Sequence, residues 1–267
     1  MEIVHPRSLD EAVAARAAMP TAHLLAGGTD FMVELNFRQR APEAVIALRR
    51  VAELAEWDRY RLGAGVTWAR MERGPRRALA QLARTVGSPQ IRNAGTIGGN
   101  IGTASPAGDG LPYLAALDAD IELVSRDRGV RRIRWDEFFV GVKQTSLGAD
   151  EIVTAALLSD ELPVREEFAK IGIRNAMVIA TVSACVMLME DGSWRIGLGS
   201  VGPTPLRARR AEALLGDTSR PGSTLLGEVA ATVAAEVRPI TDHRSTEAYR
   251  RHAAGVLVSR LVARCAT

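Results

Sequence analysis

Two five-residue segments hold the residue types that bind a diphosphate: Ala26-Gly27-Gly28-Thr29-Asp30 and Thr96-Ile97-Gly98-Gly99-Asn100. Paired glycines permit positive φ and turn consecutive backbone N–H groups to one side, which makes an anion-binding nest. The first segment runs from a strand into a helix, so the unpaired N–H groups of the helix start add to the attraction. Hydroxyls at Thr29, Thr96 and Thr103 are further donors for phosphate oxygens. Neither segment holds a lysine, and neither a Walker loop nor the three-glycine dinucleotide fingerprint is present. Such a site suits a diphosphate that is held and not transferred. Asp109, nine residues after Asn100, has two readings: an acceptor for a ribose or adenine-side hydroxyl, or the N-cap of a helix at Leu111. The four histidines share no useful spacing and complete no Ser-His-Asp arrangement. Cys185 and Cys265 lack metal-ligand spacing, and Cys185 lies in an apolar run as a buried, inert thiol.

Strands and helices must bring these segments together. Ser8 and Glu11 form a capping box for a helix over 12–18, which Pro20 ends. A short strand over 23–26 leads into Gly27-Gly28, helical spacing follows to Phe37, and a strand covers 44–48. A second unit opens with a strand at 61–64 and helical stretches from Thr67 and from Pro75 to Val86. Residues 87–110 carry seven glycines in 24 positions, which predicts a long functional loop without regular structure. A helix over 111–117 and strands at 120–125, 130–134 and 151–158 complete this unit. The last hundred residues predict strands at 167–174, 178–189 and 193–200, a turn at Glu190-Asp191-Gly192, and helices at 206–215, 224–236 and 246–264. The pattern is α+β, with a boundary at 159–164.

With 47% hydrophobic and 24% charged residues, the composition is that of an ordinary globular protein. No stretch reaches the roughly 18 apolar residues of a membrane span. The N-terminus lacks the basic start and apolar core of a secretory signal, and a reducing cytoplasm is the expected compartment. Net charge is only +3, and 32 of the 34 basic residues are arginine, leaving Lys143 and Lys170 as the two lysines. Arginine clusters such as Arg207, Arg209 and Arg210 lack interleaved aromatics and read as solvated helix faces, not as a nucleic-acid surface.

The chain resembles the FAD-binding medium subunits of molybdenum hydroxylases, which include xanthine dehydrogenases and carbon monoxide dehydrogenases. The likeness runs through AGGTD at 26–30, GSPQIRNAGTIGGNIGTASPAGD at 87–109, DEFFVGVKQTSL at 136–147, FAKIGIRNAMVIA at 168–180 and DHRSTEAYRRHAAGVLVSRL at 242–261. It implies a PCMH-type, vanillyl-alcohol-oxidase-like FAD-binding domain over 1–162, in subparts 1–56 and 57–162. A C-terminal α+β domain with an antiparallel sheet, like that of carbon monoxide dehydrogenase flavoproteins, follows over 163–267. By the same resemblance FAD lies with its pyrophosphate on the backbones of Leu25, Ala26, Gly27, Gly28, Thr29 and Asp30, and of Thr96, Ile97, Gly98, Gly99 and Asn100. Thr103 and Asp109 contact its ribityl and adenosine parts. Val153, with Ile152 beside it, packs on the ring, and Lys170 lies near the ring's polar edge, where a cation favours the reduced form. Lys143 is left structural.

Implied partners are a molybdopterin-containing large subunit and a small subunit with two-iron two-sulfur clusters, with NAD⁺ or another acceptor taking the electrons. The branch with an extra cluster in this subunit needs a cysteine group that this chain lacks. Within the family the motifs look closest to bacterial xanthine dehydrogenase subunits; a carbon monoxide, N-heterocycle or aldehyde hydroxylase is the alternative. Two other classes stay open: a free-standing FAD reductase or oxidase, and a nucleotide-diphosphate binding module without redox chemistry.

Overall fold

The computed structural model describes residues 1–39 and 41–266. The first unit is a small parallel sheet of strands β1 (Glu2–Val4), β2 (His23–Leu25) and β3 (Ala44–Ala47), in the order β1-β3-β2. Helix α1 (Leu9–Ala18) links the first two strands and α2 (Phe31–Asn36) the last two. Ser8 caps α1 by accepting from Glu11 N, but Glu11 answers on Arg7 N and not on the cap residue itself.

The second unit holds a four-stranded antiparallel sheet of β4 (Arg61–Gly63), β5 (Asp120–Ser125), β6 (Gly129–Arg134) and β9 (Ile152–Leu157), ordered β4-β9-β5-β6. Between β4 and β5 lie α3 (Trp68–Met71), α4 (Arg77–Thr85), α5 (Pro89–Ala94), α6 (Ile97–Thr103) and α7 (Gly110–Ala116). Helix α8 (Trp135–Phe138) and the small hairpin β7 (Phe139–Gly141) and β8 (Gln144–Thr145) precede β9. The expected irregular loop over 87–110 is therefore corrected to two short helices. Ser88 caps α5 with Pro89 in its first turn, and Thr96 caps α6 by accepting from Gly99 N at 3.0 Å. Caps and tertiary packing outweigh the poor helix propensity of the glycines.

The third unit is an antiparallel sheet of β10 (Pro163–Ile171), β11 (Val182–Met189), β12 (Trp194–Gly199) and β13 (Leu206–Arg207) in chain order. It is followed by α9 (Arg209–Leu215), α10 (Ser223–Glu236) and α11 (Glu247–Cys265). Pro163 begins a strand here where the sequence placed an interruption, as suits an edge strand. Residues 206–207 pair with β12 before the helix starts, and β11 begins at Val182, not at 178.

Strand β11 is buried along its whole length because it serves two cores. Cys185, Met187 and Met189 join the core of the first two units; Val182, Ala184, Val186 and Leu188 face the core formed with α10 and α11. Alternation with period two thus divides one apolar run between two layers. Among the described residues no helix is long and apolar enough to cross a membrane, and no group of His, Cys, Asp and Glu is arranged to hold a metal ion.

Candidate flavin-binding site

The first glycine segment meets the residues on either side of the second. Gly27 packs on the backbone of Ala94 and Gly95 so closely that a Cβ there would lie 1.9 Å from the Ala94 carbonyl oxygen. Farther along, Thr103 Oγ1 donates to Asp30 Oδ2 at 3.4 Å. Lys143, in the β7–β8 turn, reaches Glu34 Oε1 at 2.8 Å and lies 3.9 Å from Asp30 Oδ2. Its backbone N–H donates to Ala104 O at 3.1 Å. That turn therefore ties the start of α2 to the end of α6. Sequence reasoning left Lys143 out of the site, because its partner Glu34 is 109 residues away. Its rarity in an arginine-rich chain and its place in the 136–147 motif are the signals that point to it.

The first segment behaves as its composition predicts. Gly28 turns the chain with φ +71°, in the left-handed region. The N–H groups of Gly27, Gly28, Thr29 and Asp30 donate to nothing among the described residues. Helix α2 has only six residues and no side-chain cap. Its dipole is small, so the unspent N–H groups themselves supply the attraction for an anion.

The second segment works by another route, and the expectation of a nest there is corrected. Gly98 and Gly99 are helical, without positive φ. Ile97 N donates to Val66 O at 3.1 Å and Gly98 N to Ala64 O at 2.9 Å, while Gly99 N is taken by Thr96 Oγ1. Gly98 is needed for close approach, since a Cβ would stand 2.5 Å from Ala64 Cβ. A Cβ on Gly99 would meet only Thr96 Oγ1 at 3.4 Å, and one on Gly102 nothing within 4 Å. Gly99, Gly102 and Thr103 share one helix face. They leave a strip of bare backbone open beside Asp30.

Asp109 does not cap α7. It is buried, with Lys170 Nζ 2.6 Å from its Oδ2. The same ammonium donates to Thr85 O at 2.9 Å and Val178 O at 3.1 Å, so its three donors are engaged. Asp109 Oδ1 is buried without a partner. Burial pushes this carboxyl up to about 6, against the lowering pull of Lys170. Ile152 is fully buried on β9, and Val153 keeps only 7% of its surface.

These features fit FAD. Unspent N–H groups at residues 27–30 call for an anion, the side-chain-free strip at 99–102 admits a close approach, and the orphaned Asp109 oxygen lacks a donor such as a hydroxyl. A dinucleotide with an anionic middle and hydroxyls on either side meets all three needs.

Comparison with known proteins agrees. Residues 1–158 match the family described as the FAD binding domain in molybdopterin dehydrogenase, and residues 167–265 the carbon monoxide dehydrogenase flavoprotein C-terminal domain. The nicotinate dehydrogenase FAD-subunit of Eubacterium barkeri is 34% identical over 235 residues, covering 80% of this chain and 79% of that one. A putative xanthine dehydrogenase FAD-binding subunit of Escherichia coli K12 is 29% identical over 274 residues, covering 96% and 92%. Among solved structures, a carbon monoxide dehydrogenase from Hydrogenophaga pseudoflava that lacks the Mo-pyranopterin moiety superposes with a TM-score of 0.88 at 29% identity, covering 98% and 96%. The chain belongs to the FAD-binding subunits of the molybdenum hydroxylases.

Proposed function

We propose that this subunit holds FAD between its first two units and relays electrons from iron–sulfur clusters of a small partner subunit to NAD⁺ or another acceptor. A molybdopterin-bearing large subunit is the source of those electrons. The observation that supports the reading is the contact of Gly27 with Ala94, seconded by the Thr103–Asp30 hydrogen bond, since both bring the flanks of the second glycine segment against the first. In this reading Leu25–Asp30 supply N–H donors to the diphosphate, and Thr96–Asn100 supply a surface that lets it approach. Thr103 and Asp109 take hydroxyls of the ribityl and adenosine parts. Val153 meets the ring with Ile152 supporting it from the core, and Lys170 acts on the ring's polar edge together with Asp109.

FAD, when bound, supplies a redox group that accepts electrons singly and releases them in pairs. The protein binds, orients and shields that group, and none of its side chains has to act as a nucleophile.

For the assembled enzyme we propose a purine such as xanthine as the substrate, with carbon monoxide, another N-heterocycle such as nicotinate, or an aldehyde as alternatives. Support comes from the second glycine segment and the 168–180 motif, both of xanthine dehydrogenase character. Co-purification from the host, with flavin, iron and molybdenum analysis and turnover of xanthine, nicotinate and carbon monoxide, tests all of it. Flavin-containing protein without iron or molybdenum partners, turning over a substrate alone, would refute the subunit role.

A further inference from the structure

Away from the glycine segments, the seam between the FAD-binding and C-terminal domains opens into a cleft of ≈ 1170 Å³. One wall comes from residues 57–59, 70 and 73–77, the other from 162–167 and the end of α11. Seven arginines and three carboxylates line it, a net of +4, in a chain whose total formal charge is +3. The rest of the surface is thus slightly negative, and the positive potential is focused in this recess.

Each of the three carboxylates, already subtracted in that net, has its own partner. Asp58 is turned onto the backbone N–H groups of Tyr60 and Arg61, both at 2.8 Å. Glu167 sits between Arg77 at 2.6 Å and Arg264 at 2.9 Å. Glu166, at the buried floor, accepts from Ala78 N at 2.9 Å, and its other oxygen has no partner. Burial raises that carboxyl. Arg59, Arg70, Arg73, Arg76 and Arg165 make no salt bridge among the described residues. Three of them are steadied by neutral carbonyls instead: Arg70 by Ala55 O, Arg76 by Arg59 O at 2.8 Å, and Arg165 by Cys265 O at 3.1 Å. A guanidinium fixed in this way keeps its full charge and most of its N–H donors, already oriented.

The cleft is separate from the Lys170–Asp109 pair and the glycine segments beyond it. Helix α4 starts at the cleft with Arg77 and ends at Thr85, whose carbonyl accepts from Lys170. Nine residues of helix span roughly 12 Å. Strand β10 likewise runs from Pro163 in the cleft to Lys170 near its other end.

We propose that this interdomain cleft binds a small molecule carrying two or more phosphates, which the arginines of both walls clamp together. One carboxylate would satisfy a single guanidinium fork, whereas linked phosphates offer oxygens along the whole row. At ≈ 1170 Å³ the recess is somewhat larger than most small-ligand sites, roughly 300–1000 Å³, and the buried Glu166 lines it. A ligand touching both domains stabilises the folded state by mass action.

The test uses the full chain loaded with FAD, titrated with inorganic triphosphate and followed by thermal unfolding and calorimetry. Sulfate and citrate at matched ionic strength are the comparators. We expect saturable binding of one triphosphate per chain, not displaced by excess FAD. It should weaken at least tenfold in the Arg59→Gln/Arg73→Gln double variant, whose flavin content stays that of the wild type. Both side chains are exposed, so the fold should survive. Unchanged binding in the double variant, displacement by FAD, or equal stabilisation by sulfate and citrate would each overturn the proposal. So would absence of triphosphate binding together with loss of a partner subunit from the variant complex, which would mark the cleft as a protein-docking surface.

Discussion

Position 99 separates the fold from the site, because the two should respond to Gly99→Ala with opposite signs. In the protein without flavin, the new methyl meets only Thr96 Oγ1 at 3.4 Å, an ordinary contact. Replacing glycine by alanine within a helix gains about 0.5–1 kcal/mol. The midpoint of thermal unfolding of the apoprotein should therefore rise by roughly 1–4 °C. If the bare strip on α6 is where the diphosphate rests, the same methyl fills space that the ligand needs. Overpacking of this kind costs about 1–3 kcal/mol, equivalent to a roughly 5- to 150-fold weaker Kd for FAD. Gly99→Val should be worse. The assay is reconstitution of apoprotein with FAD, read by the change in flavin fluorescence, beside scanning fluorimetry of the apoprotein. A variant that binds FAD with wild-type affinity would refute the assignment of this strip to the cofactor.

Gly27→Ala should instead damage fold and site together. Its Cβ collides with the backbone of Ala94, which cannot swing aside as a side chain would; we expect a loss of about 3 kcal/mol or more in urea unfolding and flavin-free protein. Asp109 should give a pH signature. With its carboxyl at about 6 in the fold against an ordinary 3.8, the native state binds this proton more tightly. That contribution to stability is complete below the unfolded value and is lost as pH rises to about 6, by up to about 1.4 kcal/mol per unit. Asp109→Asn should remove this slope from unfolding measured across that window. Cys185 and Cys265 are free and buried, with burial pushing the Cys185 thiol up and that of Cys265 to about 12. Both should resist an aromatic disulfide reagent until urea unfolds the chain.

Local signals in the sequence translated well into structure. The Ser8 cap, the Gly28 turn and the Glu190-Asp191-Gly192 hairpin depend on neighbours a few residues away, and each is where composition placed it. Glycine density misled in 87–110, since it hid the Ser88-Pro89 and Thr96 caps, which are themselves local helix-start signals. The paired glycines also concealed different jobs. Gly28 needs its left-handed φ, Gly27 and Gly98 need the absence of a Cβ, and Gly99 leaves open space. Only the partner across the gap, Ala94 or Ala64, distinguishes these cases, and one sequence does not display that partner.

Lys170 marks the limit of local reasoning most clearly. By resemblance it is a cation beside the flavin ring. In the fold its ammonium is spent on Asp109, 61 residues away, and on carbonyls at Thr85 and Val178. Thr85 and Asp109 come from the FAD-binding domain, whereas Lys170 and Val178 come from the C-terminal domain. The pair therefore fastens the second domain onto the first at the glycine-rich segment. A buried ion pair adds little net stability, yet removing one member leaves an uncompensated charge at a cost of about 3–5 kcal/mol. What the pair supplies is registry: the domains close in the one arrangement that lets three acceptors meet one ammonium. Any field that Lys170 exerts at the groove is then the field of a Lys–Asp dipole, and its strength depends on whether Asp109 carries a proton.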